Sequence, residues 1–200
     1  MPILERVRAV AGSIKFNLQV QSLPDRRYLR KTMLPAMAKA CPANVLLAGT
    51  RRYTRRYPAA FDPHVTKVWT IDFDPGAERF GNGSLHHTGD MCEVDQVFQG
   101  VLFDVIHVNG LLGFGVNEPA EVCRMVEACH RALKPNGSLM LGWDVDCSPD
   151  PLDNPDVIRL FSHQQIGDLP ARHRESRVNG FDHVFDWFER REISFPGLII

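Results

Sequence analysis

The chain has 200 residues, 44% of them hydrophobic, which suits one domain with a core of its own. A formal net charge of −1 excludes a global attraction to nucleic acid or acidic lipid. Five scattered cysteines (Cys41, Cys92, Cys123, Cys129, Cys147) without CxxC spacing exclude a disulfide framework and a zinc site, and point to reduced thiols in a cytoplasmic protein.

The opening MPILERVRAVAGSIKF lacks the sustained apolar core of a signal peptide, and no later run is long enough to cross a membrane. Asp25 to Ala40 reads as a helix with Tyr28, Leu29, Met33 and Met37 near one face and Pro35 placed to kink it. Residues 1–40 are expected to form an N-terminal helical segment, serving as a lid over a ligand site or packing on a sheet edge. Residues 41–200 are expected to form a single α/β domain.

The segment from Ala43 to Asp72 predicts a buried strand, a tight turn, a short helix and a second strand. Val45, Leu46 and Leu47 form the short uninterrupted apolar run of a central parallel strand covered on both faces, and Gly49 follows where that strand must turn. KVWTI (Lys67 to Ile71) is β-branched and aromatic and closes on Asp72. An acidic residue roughly 20 positions after the glycine can reach a ribose hydroxyl in nucleotide-binding α/β folds. The pair Gly49 and Asp72 therefore suggests a nucleoside-type ligand at the carboxyl ends of these strands.

DFDPGAERFGNGS leaves room for at most one helical turn before LHHTGD, a brief third strand ending on Gly89 and Asp90. MCEVDQVFQG is a short amphipathic helix. VLFDVIHVNG is a fourth strand stopping at Asn109 and Gly110. EPAEVCRMVEACHRALKPNG carries Pro119 near its first helical position and an apolar stripe of Val122, Met125, Val126, Cys129 and Leu133, with Lys134 to Gly137 ending it. SLMLGW is a fifth strand and HVFDWFERR (His183 to Arg191) a late one. Strands alternating with helices predict a doubly wound, mostly parallel sheet with the last strand inserted antiparallel.

The order VLLAG, TIDFDP, HHTGD, FDVIHVNGLLGFG and CHRALKPNGSLMLGW resembles the class I S-adenosylmethionine-dependent methyltransferases over Ala43 to Arg191. The resemblance implies a seven-stranded Rossmann-like sheet with a terminal antiparallel hairpin, Val184 to Arg190 being its last strand. It further implies that Gly49 opens the cofactor loop and that Asp72 accepts hydrogen bonds from the two vicinal ribose hydroxyls. Asp90 would face the adenine amino group beside the Met91 backbone, and Asn109 and Gly110 would lie under the reacting end. The family loop carries several glycines, whereas here Gly49 is followed by Thr50, Arg51, Arg52 and Tyr53. Either Thr50, Tyr53 and backbone N–H groups still cradle the cofactor, with an arginine pairing the methionyl carboxylate, or the pocket has come to bind something else.

Methyl transfer is an in-line displacement in which the protein aligns the reactants and excludes water, with a general base required only for a poorly ionised acceptor. His86, His87 and His107 are candidate bases. His107 is the one carried forward, since it shares a side of its strand with Asn109. Trp143, Asp144 and Asp146 follow the fifth strand at the ligand-binding edge, and Trp143 and Asp144 are the candidates for acceptor contacts. No metal-ligand spacing and no nucleophile elbow are present. RRYTRR (Arg51 to Arg56) and ARHRESR (Ala171 to Arg177) are the basic clusters, and with a slightly negative chain they suit a solvated helix face or a carboxylate or phosphate on a small ligand better than nucleic acid.

These expectations describe a cytoplasmic enzyme using S-adenosylmethionine on a small-molecule substrate. The alternatives are a non-catalytic binding relative and a nicotinamide-dependent oxidoreductase, the latter lacking GxGxxG. A homodimer through the N-terminal segment or the final FPGLII is compatible with this reading.

Overall fold

A computed structural model describes residues 19–176, 180 and 182–193. The start of the N-terminal segment, Arg177 and the FPGLII end lie outside these residues.

The chain enters through α1 (Pro24–Tyr28), a π turn over Leu29–Met33 and α2 (Leu34–Lys39). Pro35 falls in the first turn of α2, where a missing N–H costs nothing, so the break predicted at that proline lies just before it, in the π turn. The strands follow as β1 (Asn44–Ala48), β2 (Lys67–Asp72), β3 (His86–Thr88), β4 (Phe103–Asn109), β5 (Leu133–Asp144), β6 (Phe161–His163), β7 (Arg172–Glu175) and β8 (His183–Arg190). Between them lie α3 (Val94–Val97), α4 (Pro119–Ala132) and α5 (Pro155–Leu160).

The sheet runs β3-β2-β1-β4-β5-β8-β6, with β7 also paired to β8. The pairs from β3 through β5 are parallel, and β8 is antiparallel to β5, as the late strand was expected to be. Among the described residues the sheet holds eight strands, the expected seven with the short β7 added beside β8. β6 pairs with residues 188–190 of β8 and β7 with residues 183–186, so two short strands share one margin.

Side-chain alternation divides the core. Leu46 and Ala48 of β1, Ile106 and Val108 of β4, and Leu139 and Leu141 of β5 pack with Met125, Val126 and Cys129 of α4. Val45, Leu47, Met140, Phe185 and Trp187 face the other way and meet Leu29, Met33, Leu34 and Met37. The N-terminal helical pair thus covers a sheet face instead of an edge. The helix α4 stops at Ala132, and the expected terminator Lys134 to Gly137 belongs to the start of β5, where Asn136 takes φ +60° and Lys134 Nζ reaches Asp104 at 2.8 Å. Where a short helix was expected after Gly49, the chain makes turns and one 3-10 segment, Tyr57–Ala60.

Within ARHRESR, Arg172–Glu175 form β7, and its two arginines are paired with acids. Arg172 donates to Asp150 and Asp186, and Arg174 donates to Asp182. No helix among the described residues is long and apolar enough to cross a membrane.

Candidate active site

The carboxyl ends of β1, β2 and β4 open into a cavity of about 280 Å³. Open α/β sheets bind ligands at this edge because the connections diverge there to opposite faces. Gly49, Thr50, Tyr53, Asp72, Asp90 and Met91 line it on one side, and His107, Asn109 and Gly110 on the other. Nine of the eleven residues singled out in the sequence therefore share one space.

Gly49 turns the chain out of β1 with φ +82°, a conformation that suits only glycine here, and its N–H donates to the Ile71 carbonyl. The next residues fold back on the end of β2. Thr50 N–H donates to Asp72 Oδ2 at 2.8 Å, and the Thr50 hydroxyl donates to the Ala77 carbonyl at 3.3 Å. A Thr54 hydroxyl bonded to the Arg51 carbonyl closes the turn without further glycines.

Asp72 is the most heavily engaged group in the cavity. Its Oδ2 also receives Arg51 Nη1 at 2.6 Å, and its Oδ1 receives the Asp74 N–H at 3.0 Å. The Asp72 side chain is 2% exposed and that of Arg51 45% exposed, so the arginine reaches in from solvent and can swing away. Asp90, at the end of β3, caps the following turn through Oδ1 to the Cys92 N–H and stays exposed to the cavity.

His107 is 2% exposed, and neither ring nitrogen finds a hydrogen-bond partner among the described residues. Burial pushes its pKa down to about 3, with the Arg26 guanidinium and His183 pushing the same way. It is a neutral imidazole at physiological pH. A proton acceptor works best with a pKa near the operating pH, well above that of His107. His86 and His87 lie outside the cavity lining; His86 Nδ1 is held at 3.0 Å by the Thr70 hydroxyl.

Trp143 and Asp144 do not line the cavity. Alternation along β5 turns them to opposite faces: Trp143 Nε1 donates to Asp186 at 2.9 Å, and Asp144 Oδ1 lies 2.6 Å from His183 Nδ1. His183 Nε2 in turn lies 2.9 Å from Asn109, which does line the cavity. Asp144 is thus linked to the site through two other side chains.

Four residues escaped the sequence reading. Arg26 of α1 lines the cavity with its side chain 12% exposed, its guanidinium carbon 5.4 Å from the Tyr53 ring centre and its Nε 3.4 Å from Asp25. Phe73 and Phe114 line it as exposed aromatics, and their positions beside Asp72 and Gly113 were the available signal. His183 lay inside an aromatic strand with nothing in the sequence to mark its partners.

No protein-family model matches the sequence, and no curated protein sequence matches it. Solved structures do match. The N-methyltransferase NodS from Bradyrhizobium japonicum superimposes with a TM-score of 0.65 at 17% identity, over 86% of this chain and 99% of NodS. Its complex with S-adenosylhomocysteine gives 0.65 at 16%, over 87% and 91%. The 1,6-didemethyltoxoflavin N1-methyltransferase from Burkholderia thailandensis, solved with its substrate and S-adenosylhomocysteine, gives 0.58 at 17%, over 96% and 92%. The fold is that of the class I S-adenosylmethionine-dependent methyltransferases. The mostly parallel sheet and the antiparallel β8 match the expectation drawn from the motif order.

Proposed function

We propose that the protein binds S-adenosylmethionine in this cavity and directs methyl transfer to a small-molecule acceptor. One observation carries the reading: Gly49, Asp72, Asp90 and Asn109, at the ends of four successive parallel strands, converge on one space in a fold shared with structures that hold S-adenosylhomocysteine.

The residues present fit such a ligand. Asp72 offers a carboxylate to the ribose once Arg51 yields its place on Oδ2. Asp90 takes the adenine amino group with the Met91 backbone beside it. The positive φ of Gly49 and Gly110 lets main chain approach closely, and a Cβ at residue 110 would stand 3.9 Å from Arg26 Nη2. Arg26 sets a guanidinium at this end of the cavity, and Tyr53 stacks against it. Phe73 and Phe114 exclude water from the mouth.

The cofactor supplies an activated sulfonium methyl, so the chain's own task is alignment. His107 and Asn109 hold the acceptor by hydrogen bonds, while Asp144 supports Asn109 through His183 and Trp143 packs on the opposite face of the sheet. The scattered thiols, without CxxC spacing, suit a cytoplasmic setting.

Calorimetric titration with S-adenosylhomocysteine and, separately, with NADH tests the assignment. Heat with the first and none with the second is expected; no heat with the first rejects it. A non-catalytic binding role is the second reading, and the Arg51–Asp72 ion pair in the expected ribose position favours it. That role predicts that Asp72→Ala leaves cellular function intact.

A further inference from the structure

The cavity has a second level below the strand tips. His107 lies two residues, about 7 Å, short of the end of β4. It stands beside Leu47 in the register with β1, yet both line the same space as Gly49 and Gly110. A pit therefore runs down the sheet face that carries Leu47, walled by Tyr57 of the 3-10 segment, with Arg26 of α1 at its lip.

The chemistry of this pit is uneven. Leu47, Tyr53 and Tyr57 give it apolar and aromatic walls, whereas the His107 ring is 2% exposed and neither of its nitrogens finds a partner among the described residues. A polar ring buried in this way costs stability until a ligand bonds it. Burial keeps the ring uncharged against the pull of its own main chain, and Arg26 and His183 add to the effect of burial. Burial also raises the Tyr57 pKa, Arg26 being the first of the charges that oppose it, with Tyr53, Arg30 and Asp25 in range.

The fixed charge at the lip is positive. Arg26 holds Asp25 through Nε at 3.4 Å, and its Nη2 would stand 3.9 Å from a Cβ at residue 110. The guanidinium is therefore at the tip of β4, two strands from Asp72. A cationic ligand group would be repelled there. One guanidinium that already shares Asp25 balances a single negative charge better than a phosphate dianion.

We propose that this pit anchors the methyl acceptor and that it takes the carboxylate of a small, largely apolar acid, held by the Arg26 guanidinium, the Tyr57 hydroxyl and one His107 N–H. A carboxylate only accepts hydrogen bonds, so it suits three donors converging from α1, the 3-10 segment and β4. This rests on the methyl-transfer reading and narrows its acceptor to an acid. The anchored group lies a layer below Asn109 and Gly110, so the methylated atom belongs to another part of the same molecule.

Calorimetry on the full chain tests this with benzoate, benzamide and benzylamine as probes, each against protein alone and protein saturated with S-adenosylhomocysteine. Long-range ¹H–¹⁵N spectra, assigned with His107→Gln, follow the His107 ring. Benzoate is expected to bind both forms about tenfold or more tighter than benzamide and to move the ring signals. Benzylamine is expected not to bind. Arg26→Gln should weaken benzoate by about tenfold or more, and S-adenosylhomocysteine by no more than about twofold. Displacement of benzoate by S-adenosylhomocysteine, or equal losses for both in Arg26→Gln, would assign the guanidinium to the cofactor's own carboxylate and overturn the proposal. Equal binding of the three probes, or unmoved His107 signals, would overturn it in the wild type alone, whether or not the variant folds. Benzoate bound at His107 without any binding of S-adenosylhomocysteine would remove the methyl-transfer reading, and with it the acceptor role, while the acid site itself would stand.

Discussion

Arg51 Nη1 stands 2.6 Å from Asp72 Oδ2, the same oxygen that accepts the Thr50 N–H. The carboxylate expected to hold a ribose is therefore already bonded on both oxygens, since Asp74 N–H occupies Oδ1. Arg51 is the replaceable partner, being half-exposed. An ion pair of this exposure contributes about 0.2–1 kcal/mol, so Arg51→Ala is expected to tighten S-adenosylhomocysteine binding in calorimetry by up to about fivefold. Weaker binding would mean that Arg51 itself contacts the ligand.

Asp72→Asn should act in the opposite sense. It removes the charge that holds Thr50 and Arg51, and hydrogen bonds to a charged group are worth about 1.5–3 kcal/mol each. Affinity for S-adenosylhomocysteine should fall by about tenfold or more, with a lower denaturation midpoint. Unchanged affinity would place the ribose elsewhere.

Acid should weaken the fold through its buried histidines. Burial lowers the folded-state pKa of His107 to about 3, and burial also lowers those of His183 and His130. Above the ordinary histidine pKa near 6.5, folded and unfolded chains bind the same number of protons here. As pH falls from there toward 3 only the unfolded chain takes them up, so stability is lost. Urea midpoints should drop between pH 7.5 and pH 5, and His107→Gln should flatten that slope.

Arg172 joins two acids at the shared margin. It donates to both oxygens of Asp150 and both of Asp186, while Trp143 and His163 complete the shell around the fully buried Asp186. These bonds raise the Arg172 pKa, those with Asp150 contributing most. Arg172→Met would leave Asp186 buried without its cation, a change costing about 3–5 kcal/mol. A large fall in melting temperature is expected, and a shift of only a degree or two would show that Asp186 is carried by its neutral partners.

Gly142→Ala places a methyl group on the Asn109 amide. Overpacking of this kind costs about 1–3 kcal/mol. The Asn109–His183 contact should be lost while Asp72 and Asp90 keep their places, so S-adenosylhomocysteine binding should survive better than turnover. Equal loss of both would place Asn109 in the cofactor site.

The parallel half of the molecule was legible because its strands are buried on both faces. VLL, KVWTI and FDVIHV are apolar runs that need no partner to be recognised, and α4 announces itself by Pro119 and its stripe. β6 and β7 are three and four residues long and read FSH and RHRE, too short and too polar to show a period. The arginines of RHRE resembled a surface patch because their acids, Asp150, Asp182 and Asp186, are remote in sequence.

At the site, residues at strand ends were legible because strand ends converge by topology. Trp143 and Asp144 were placed at the right edge of the sheet, but the register with β8 turns both into packed layers. His183 and Arg26 were missed because their importance comes from long-range contact, with Asn109 across two strands and with the cavity from α1.

Among the described residues, the sheet ends on one side in β3, three residues long, and on the other in the divided pair β6 and β7. Edge-to-edge joining of sheets needs a long flat row of unsatisfied main-chain groups on each partner. Neither described flank offers one, so this sheet has no long edge by which two copies could join into fibrous aggregates while the native state holds.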